Sequence, residues 1–260
     1  WDKASIKMAF LFPDTYEIGM SFVGMRILYH VVNAHPRFLL ERSFAPLVDM
    51  EQRMRDRGIP LFSWETNHAI LDFDVVGFTL QYEMSYSNIL NMLDLSGIPL
   101  LAKDRVDGPL VVAGGPGAFN PEPIADFFDL FMLGEGEELL PELLEAYEKS
   151  KQSGESKAAF LEKAAQIPGI YVPSLYQVSY QENGKIAEII PLKNAPAVVY
   201  KRVLPDMDLA IYPDKDLVPL TQVVHDRAVL EVMRGCARGC RFCQAGIIYR
   251  PVREKSVHKL

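Results

Sequence analysis

The chain has 260 residues, of which 49% are hydrophobic and 23% charged, the composition of an ordinary globular protein. No run of about 18 apolar residues occurs and residues 1–5 lack an apolar signal segment, which argues against a membrane span and a secreted protein, and free thiols predict a reducing cytoplasm. Residues 1–150 carry 11 Lys and Arg against 23 Asp and Glu, whereas residues 151–260 carry 16 against 11, so the basic excess lies in the last part of the chain.

Residues 1–150 alternate between short apolar runs and amphipathic segments. Strands are predicted over Ile6–Phe12, Phe38–Ala45, Asp74–Leu80, Leu110–Ala113 and Asp129–Leu133. Helices are predicted over Ile18–Val32, Leu47–Arg57, Tyr86–Leu95 and Glu138–Lys149. Strand–helix alternation is typical of α/β folds, so residues 1–150 are predicted to form one domain with a Rossmann-like, doubly wound parallel sheet.

Residues 151–226 do not continue this strand–helix alternation and are predicted to form a connector. Two alternating segments flank Asn183-Gly184, a strong signal for a β-hairpin. Residues 227–260 are predicted to begin a third domain, with a strand over Ala228–Met233 and a helix starting near Glu254.

Cys236, Cys240 and Cys243, in the spacing C-x3-C-x2-C, are the chain's only cysteines. Three cysteines in 260 residues are neither dense nor even in number, which argues against a disulfide scaffold. A zinc site needs a fourth ligand, for which His258 is the only nearby candidate. Three thiolates on one loop can instead hold three irons of a [4Fe–4S] cluster and leave the fourth iron open. They are therefore the predicted metal ligands.

This cysteine segment resembles that of the radical S-adenosylmethionine (SAM) enzymes, and Phe242 matches the aromatic residue common before the third cysteine. The resemblance implies a [4Fe–4S] cluster whose open iron binds SAM and whose reduced form cleaves it to a 5′-deoxyadenosyl radical. It also implies an electron donor such as flavodoxin or ferredoxin. Residues 227–260 would be the first strand and cluster loop of a (β/α) barrel, truncated here.

Four segments near predicted strand ends resemble the cobalamin-binding domain that precedes many radical SAM domains: Asp14–Gly19, Phe78–Leu80, Gly114-Gly115 and Gly134–Glu137. The cofactor-binding residues that the resemblance implies are Asp14, Tyr16, Gly19, Thr79, Gly114, Gly115, Gly134 and Glu135. Tyr16 stands where the family has its cobalt-binding His, and a phenol is a poor ligand at neutral pH. The domain would therefore bind cobalamin without a protein ligand to cobalt, or keep the fold without binding it.

Three functional hypotheses follow. The first is a cobalamin-type radical SAM enzyme that transfers a methyl group to an unactivated carbon. The second is an RNA-modifying radical SAM enzyme that uses the basic C-terminal face, with residues 1–150 as a docking domain that binds no cobalamin. The third is a non-catalytic iron–sulfur protein. The sequence leaves open whether the substrate is a small molecule or an RNA. Glu135 and Glu137 could take part in acid–base chemistry, but acidic residues near a helix start more often stabilise the helix dipole.

Overall fold

The computed structural model describes residues 1–213, 215, 217–225 and 227–260, so three positions of the predicted connector, Asp214, Asp216 and Asp226, lie outside the described residues. A six-stranded sheet forms the centre of the molecule. Its strands are β1 (Ile6–Phe12), β2 (Phe38–Phe44), β3 (Val75–Thr79), β4 (Leu110–Gly114), β5 (Leu130–Met132) and β6 (Ile170–Tyr171). Their spatial order is β2-β1-β3-β4-β5-β6.

The first five strands are parallel, and β6 runs antiparallel to β5 at one edge. The order β2-β1-β3-β4-β5 is that of a doubly wound sheet, in which the winding direction reverses between β1 and β3. Ligands of such sheets bind at the carboxyl ends of the strands near this reversal. The topology therefore marks one edge of the sheet as the place for a site.

Helices cover both faces of the sheet. They are α1 (Tyr16–Gly19), α2 (Val23–Asn33), α3 (Val48–Arg57), α4 (Tyr86–Leu95), α5 (Gly136–Gln152) and α6 (Lys157–Ala164). A further short helix, α7 (Ala245–Ile248), lies in the cysteine loop. Along β1, Met8, Phe10 and Phe12 enter the core under α2, α5 and α6, whereas Ala9 and Leu11 enter the core under α3 and α4. This two-sided burial explains why the strands are continuous apolar runs and confirms the predicted fold class.

The predicted helix Ile18–Val32 is in fact two helices. Phe22 has an extended backbone (φ −87°, ψ 110°), which ends the first turn before α2 begins. Ser21 donates a hydrogen bond from its hydroxyl to the Glu17 carbonyl (2.8 Å). The apolar periodicity continues across the break, so it does not reveal the change of direction.

The packed core extends past residue 150. After α5 the chain turns, and Ser156 caps α6 by accepting a hydrogen bond from the Ala159 N–H (3.2 Å). Phe160 in α6 and Ile170 in β6 are each 1% exposed and pack in the same core as β1. The boundary near residue 150 stays a prediction, but residues assigned to the connector complete the sheet and one of its cores.

The predicted hairpin is present as β7 (Tyr176–Tyr180) and β8 (Ile186–Pro191), joined around Asn183-Gly184. The predicted strand Ala228–Met233 and the helix near Glu254 are wrong. Only β9 (Met233–Arg234) and β10 (Arg253–Glu254) form there, as an antiparallel ribbon. A strand needs a partner for its backbone groups, and within the described residues 228–232 have none in a sheet.

None of the helices in the described part of the chain combines the length and the apolarity needed to cross a lipid bilayer.

Candidate functional site

A cavity of about 390 Å³ lies at the carboxyl ends of β3, β4 and β5. One part of its lining is apolar and comes from the sheet, α2 and α5; it includes Met8, Phe10, Phe22, Ile27, Phe78, Val112 and Leu140. The rest of its lining is charged, and most of these charged residues follow residue 200 in the sequence; they include Glu135, Glu137, Lys201, Arg202, Glu231, Arg234, Arg250 and Arg253. This volume and this mix of apolar wall and a few charged groups are those of a small-molecule site.

Five of the sequence-predicted cofactor residues line the cavity: Thr79, Gly114, Gly115, Gly134 and Glu135. They come from the ends of three neighbouring parallel strands, so the sheet brings them to one edge. Thr79 is 5% exposed. The structure thus unites the segments that resemble the middle and later motifs of the cobalamin-binding domain.

Backbone packing, not space for a ligand, requires two of these glycines. Gly115 and Gly134 have positive φ angles of 94° and 106°, a region that disfavours side chains. A Cβ on Gly115 would lie 2.9 Å from the Leu80 carbonyl oxygen, and one on Gly134 would collide with the Arg202 backbone, with which Gly134 forms a parallel bridge. A Cβ on Gly114, by contrast, would make only ordinary contacts, the nearest 3.7 Å away. Of these three glycines, Gly114 is the one that leaves cavity space open without a backbone reason.

The three predicted cofactor-binding residues that follow β1, which are Asp14, Tyr16 and Gly19, are not among the described lining of the cavity. Tyr16 is 7% exposed and its ring stacks on Trp64, with ring centroids 4.4 Å apart. Its hydroxyl oxygen accepts a hydrogen bond from the Leu220 N–H (2.7 Å). Tyr16 is absent from the described lining of the cavity. The residue standing in place of the cobalt-binding His therefore anchors the connector to the sheet domain.

Asp14 and Gly19 also lie outside the described lining of the cavity. Asp14 accepts a hydrogen bond at Oδ1 from the Thr15 N–H (2.8 Å), which shapes the turn after β1. A Cβ on Gly19 would overlap the Phe44 ring. Local turn geometry and packing thus account for both residues.

The three cysteines lie on the loop that connects β9 to β10, the two strands of the ribbon. The Cys236 N–H donates a hydrogen bond to the Tyr249 carbonyl (2.9 Å), and the Cys243 N–H to the Cys240 carbonyl (3.1 Å). At the base of the loop, Gly235 has a φ of 104°, and a Cβ there would lie 2.6 Å from the Pro251 carbonyl oxygen. The base of the loop is therefore closed by backbone contacts, whereas residues 237–242 are exposed.

All three cysteines are free thiols, with Cys240 exposed and the other two half-buried. As donors, three thiols without disulfide partners suit an iron–sulfur cluster. Among the described residues, however, no three His, Cys, Asp or Glu side chains lie close enough together to hold a metal. The donor chemistry fits a cluster, whereas the thiols are not gathered at one point.

Two cations beside this loop bond only to backbone among the described contacts. The Lys201 ammonium donates to the carbonyls of Ile248 (2.6 Å) and Arg250 (2.5 Å). The Arg250 guanidinium donates to the carbonyls of Gly246 and Arg238. Burial, and then the positive charge of Arg253, lower the pKa of Lys201.

Lys201 and Arg250 line the cavity and also a second, open cleft of about 530 Å³ that contains Cys236. The site beside the cysteine loop is therefore electropositive and favours an anionic group.

Glu135 joins the sheet domain to the ribbon. Its two carboxylate oxygens each accept a hydrogen bond from the Arg253 guanidinium (2.7 and 2.7 Å), and one also accepts the Leu204 N–H. Burial raises the pKa of Glu135, but the bonds from Arg253 and Leu204, with the charges of Arg253 and Arg234, outweigh it and hold this pKa below its ordinary value. Glu135 is therefore ionised in the folded protein at neutral pH.

Arg234 makes the second junction. Its guanidinium is paired with Glu137 and donates to both carboxylate oxygens of Glu231 (2.7 and 3.0 Å). Burial lowers the pKa of Arg234, but the bonds to Glu231 and Glu137 outweigh it, and the net pKa is raised. The charged wall of the cavity is thus a connected set of carboxylates and guanidinium groups.

Sequence reasoning missed Lys201, Arg234 and Arg253. Their only signal was the basic excess near the cysteines, which is equally typical of a solvated surface. Arg253 and Glu135, which pair with each other, are 118 residues apart in the sequence, so no local pattern connects them.

Comparison with known proteins identifies the family. Residues 24–173 match the sequence model described as "Radical SAM proteins, N-terminal". An uncharacterised protein of Methanocaldococcus jannaschii is 25% identical over 254 residues, which are 97% of this chain and 44% of that protein. The chain therefore spans less than half of the length of this relative.

Two solved structures of the cobalamin-dependent S-adenosylmethionine radical enzyme OxsB share the fold. The structure with aqua-cobalamin and S-adenosylmethionine bound has a TM-score of 0.53 at 14% identity, over 98% of this chain and 30% of that one. The structure with aqua-cobalamin alone has a TM-score of 0.51 over the same shares. Because the family model covers more than half of the sequence, the chain belongs to the radical SAM proteins and contains the N-terminal region of that family.

Proposed function

We propose that this chain is the cofactor-binding part of a radical SAM enzyme in which Cys236, Cys240 and Cys243 ligate a [4Fe–4S] cluster and the cavity holds part of a corrinoid. The observation that carries the proposal is the composition of the cavity wall. Glycines from the strand ends and residues that bracket the cysteine loop, among them Gly235 and Tyr249, line the same space. A ligand bound there would lie between the sheet domain and the loop.

Family membership and the free thiols support the cluster. The chemistry that such a cluster supplies in this family is the reductive cleavage of SAM. The positive charge of Lys201 and Arg250 beside Cys236 favours an anionic thiolate cluster.

The cavity suits one part of cobalamin better than the whole. Its volume corresponds to a nucleotide-sized group and falls short of a complete corrinoid macrocycle with its tail. The apolar wall between the sheet and α2 is suited to a flat aromatic base. None of the described lining residues is a histidine, so a corrinoid seated here would receive no imidazole from the cavity wall.

The OxsB structures support the corrinoid, because aqua-cobalamin is bound to that protein in both of them. Methyl transfer to an unactivated carbon is the reaction that we propose for the complete enzyme, with an electron donor such as flavodoxin or ferredoxin.

Iron uptake tests the cluster. Anaerobic reconstitution is expected to give about four irons per chain and an EPR-active reduced state. Ala at Cys236, Cys240 or Cys243 should abolish that signal. Gly239→Ala is a matched control in the same loop, because a Cβ there would meet nothing within 4 Å; it should keep the iron. Stoichiometric zinc without iron in the wild-type protein would contradict the proposal.

Titration with hydroxocobalamin tests the cavity. The protein should show a saturable absorbance change at micromolar concentrations. Gly114→Leu should weaken binding by about tenfold or more by filling the cavity, whereas Gly114→Ala, which a Cβ-sized space allows, should weaken it less. Equal affinity of the wild-type protein and Gly114→Leu would place the corrinoid elsewhere.

A further inference from the structure

The cysteine loop depends on a ribbon that is weak by itself. The ribbon has two residues per strand, and Arg234 stands directly opposite Arg253. Like charges opposite each other destabilise a strand pair, and an isolated two-stranded ribbon is marginal in water. Carboxylates must therefore neutralise these two arginines. Glu231, three residues before Arg234, pairs with Arg234 from within the same segment, and further carboxylates must come from outside it.

The carboxylates of Glu135 and Glu137 do so. Glu135 forms a two-pronged pair with Arg253 at 2.7 Å and lies 3.6 Å from Arg234, which is also paired with Glu137. The four side chains are between 8% and 18% exposed. Charge pairs this far from solvent are screened much less by salt than surface pairs.

The ordinary explanation for acidic residues here is helix capping. Glu135 is the N-cap residue of α5 and Glu137 lies in its first turn. Yet the Glu135 side chain makes no capping hydrogen bond to the helix. Both its oxygens face Arg253 instead. Stabilisation of the helix dipole therefore does not explain where this side chain points.

We infer that Glu135 and Glu137 are positioning residues that clamp the β9–β10 ribbon and so hold the cysteine loop against the cavity. The clamp joins the two walls of the site: Glu135 follows Gly134 at the end of β5, while Arg234 precedes Cys236 by two residues. The inference concerns the placement of the loop. It rests on the proposed function only for the identity of the cofactor that the loop receives.

Hydrogen exchange in the iron-free protein tests the clamp without any cofactor. The reporter is the Cys236 amide, which bonds to the Tyr249 carbonyl across the loop. Glu135→Gln should speed its exchange by about tenfold or more, because an amide group cannot pair with Arg253 as a carboxylate does. Glu138→Gln is the matched control: Glu138 is also in the first turn of α5, but its side chain is 54% exposed and lies 3.9 Å from Arg202. It should leave this exchange unchanged.

Arg253→Lys provides a second route if Glu135→Gln folds poorly. It keeps the charge but loses the two-pronged geometry, so it should also speed Cys236 exchange while amides of β1 and β3 stay protected. After reconstitution, both variants should alter the EPR spectrum of the cluster, and Glu138→Gln should not. Unchanged Cys236 exchange in Glu135→Gln and Arg253→Lys would overturn the clamp. Failure of the wild-type protein to take up iron would overturn the proposed cofactor and leave the exchange result valid.

Discussion

At the scale of single residues, Gly134 shows how backbone contact constrains the site. It combines a φ of 106° with a bridge to Arg202 that leaves no space for a Cβ. Gly134→Ala should therefore lower the free energy of unfolding by about 1–3 kcal/mol through overpacking, with backbone strain in addition. Denaturant unfolding would measure it.

Gly114→Ala is the control for this change, because the nearest atoms to its Cβ would be at ordinary contact distance. Its midpoint should stay close to that of the wild-type protein. Equal destabilisation by both substitutions would mean that the bridge between Gly134 and Arg202 is not what requires glycine.

Glu135 links the site to pH. Because the pKa of Glu135 in the folded protein lies below its ordinary value of 4.5, its ion pair contributes stability that is fully present above that value. This stability is lost as the pH falls through the lower folded-state pKa. At pH 7, Glu135→Gln should cost about 1.5–3 kcal/mol, the range for hydrogen bonds to charged groups.

Chemical denaturation of the wild-type protein and Glu135→Gln across pH 7 to pH 3 checks this expectation. The difference between the two proteins should shrink below pH 4.5, while Glu138→Gln should follow the wild-type protein throughout. A difference that stays constant into acid would show that ionisation of Glu135 does not stabilise the fold.

At the scale of elements, the sequence predicts those whose signal is local. Ile6–Phe12 is apolar throughout because both of its faces are buried, and Gly58 marks the end of α3 because its left-handed conformation (φ 63°) suits glycine. Tyr86–Leu95 matches α4 at both ends. In each case the residues that form the element also carry the pattern.

Elements that depend on pairing with distant segments cannot be predicted from a local pattern. β6 is two residues long and exists because Phe131 and Met132 offer a free edge. The predicted strand Ala228–Met233 has the right composition, but of the described residues there, Met233 and its neighbour Arg234 are the ones that pair with another strand. The resemblance to the cobalamin-binding domain pointed to Thr79, Gly114 and Glu135, which line the cavity. The packing of Tyr16 against Trp64, by contrast, depends on a contact between distant segments that no local motif reveals.

At the scale of the whole molecule, the oppositely charged parts of the sequence contact each other. The acidic first part meets the basic last part through Glu135 and Glu137 on one side and Arg234 and Arg253 on the other. Arg202 adds a pair with Glu142 on α5. The charge asymmetry therefore fixes how the cysteine segment sits on the sheet domain, which is a more specific role than a solvated basic face.

Truncation tests how the molecule divides. Residues 1–150 are predicted to form one domain, yet Phe160 and Ile170 complete its core and β6 covers the edge of β5. Each of these apolar side chains contributes about 1.5–3 kcal/mol when fully buried. A fragment of residues 1–175 should therefore unfold at a clearly higher urea concentration than residues 1–150. Both fragments should lack the contact of Tyr16 with Leu220, so that contact cannot cause the difference. Equal midpoints would support the boundary at residue 150 and assign α6 and β6 to the connector.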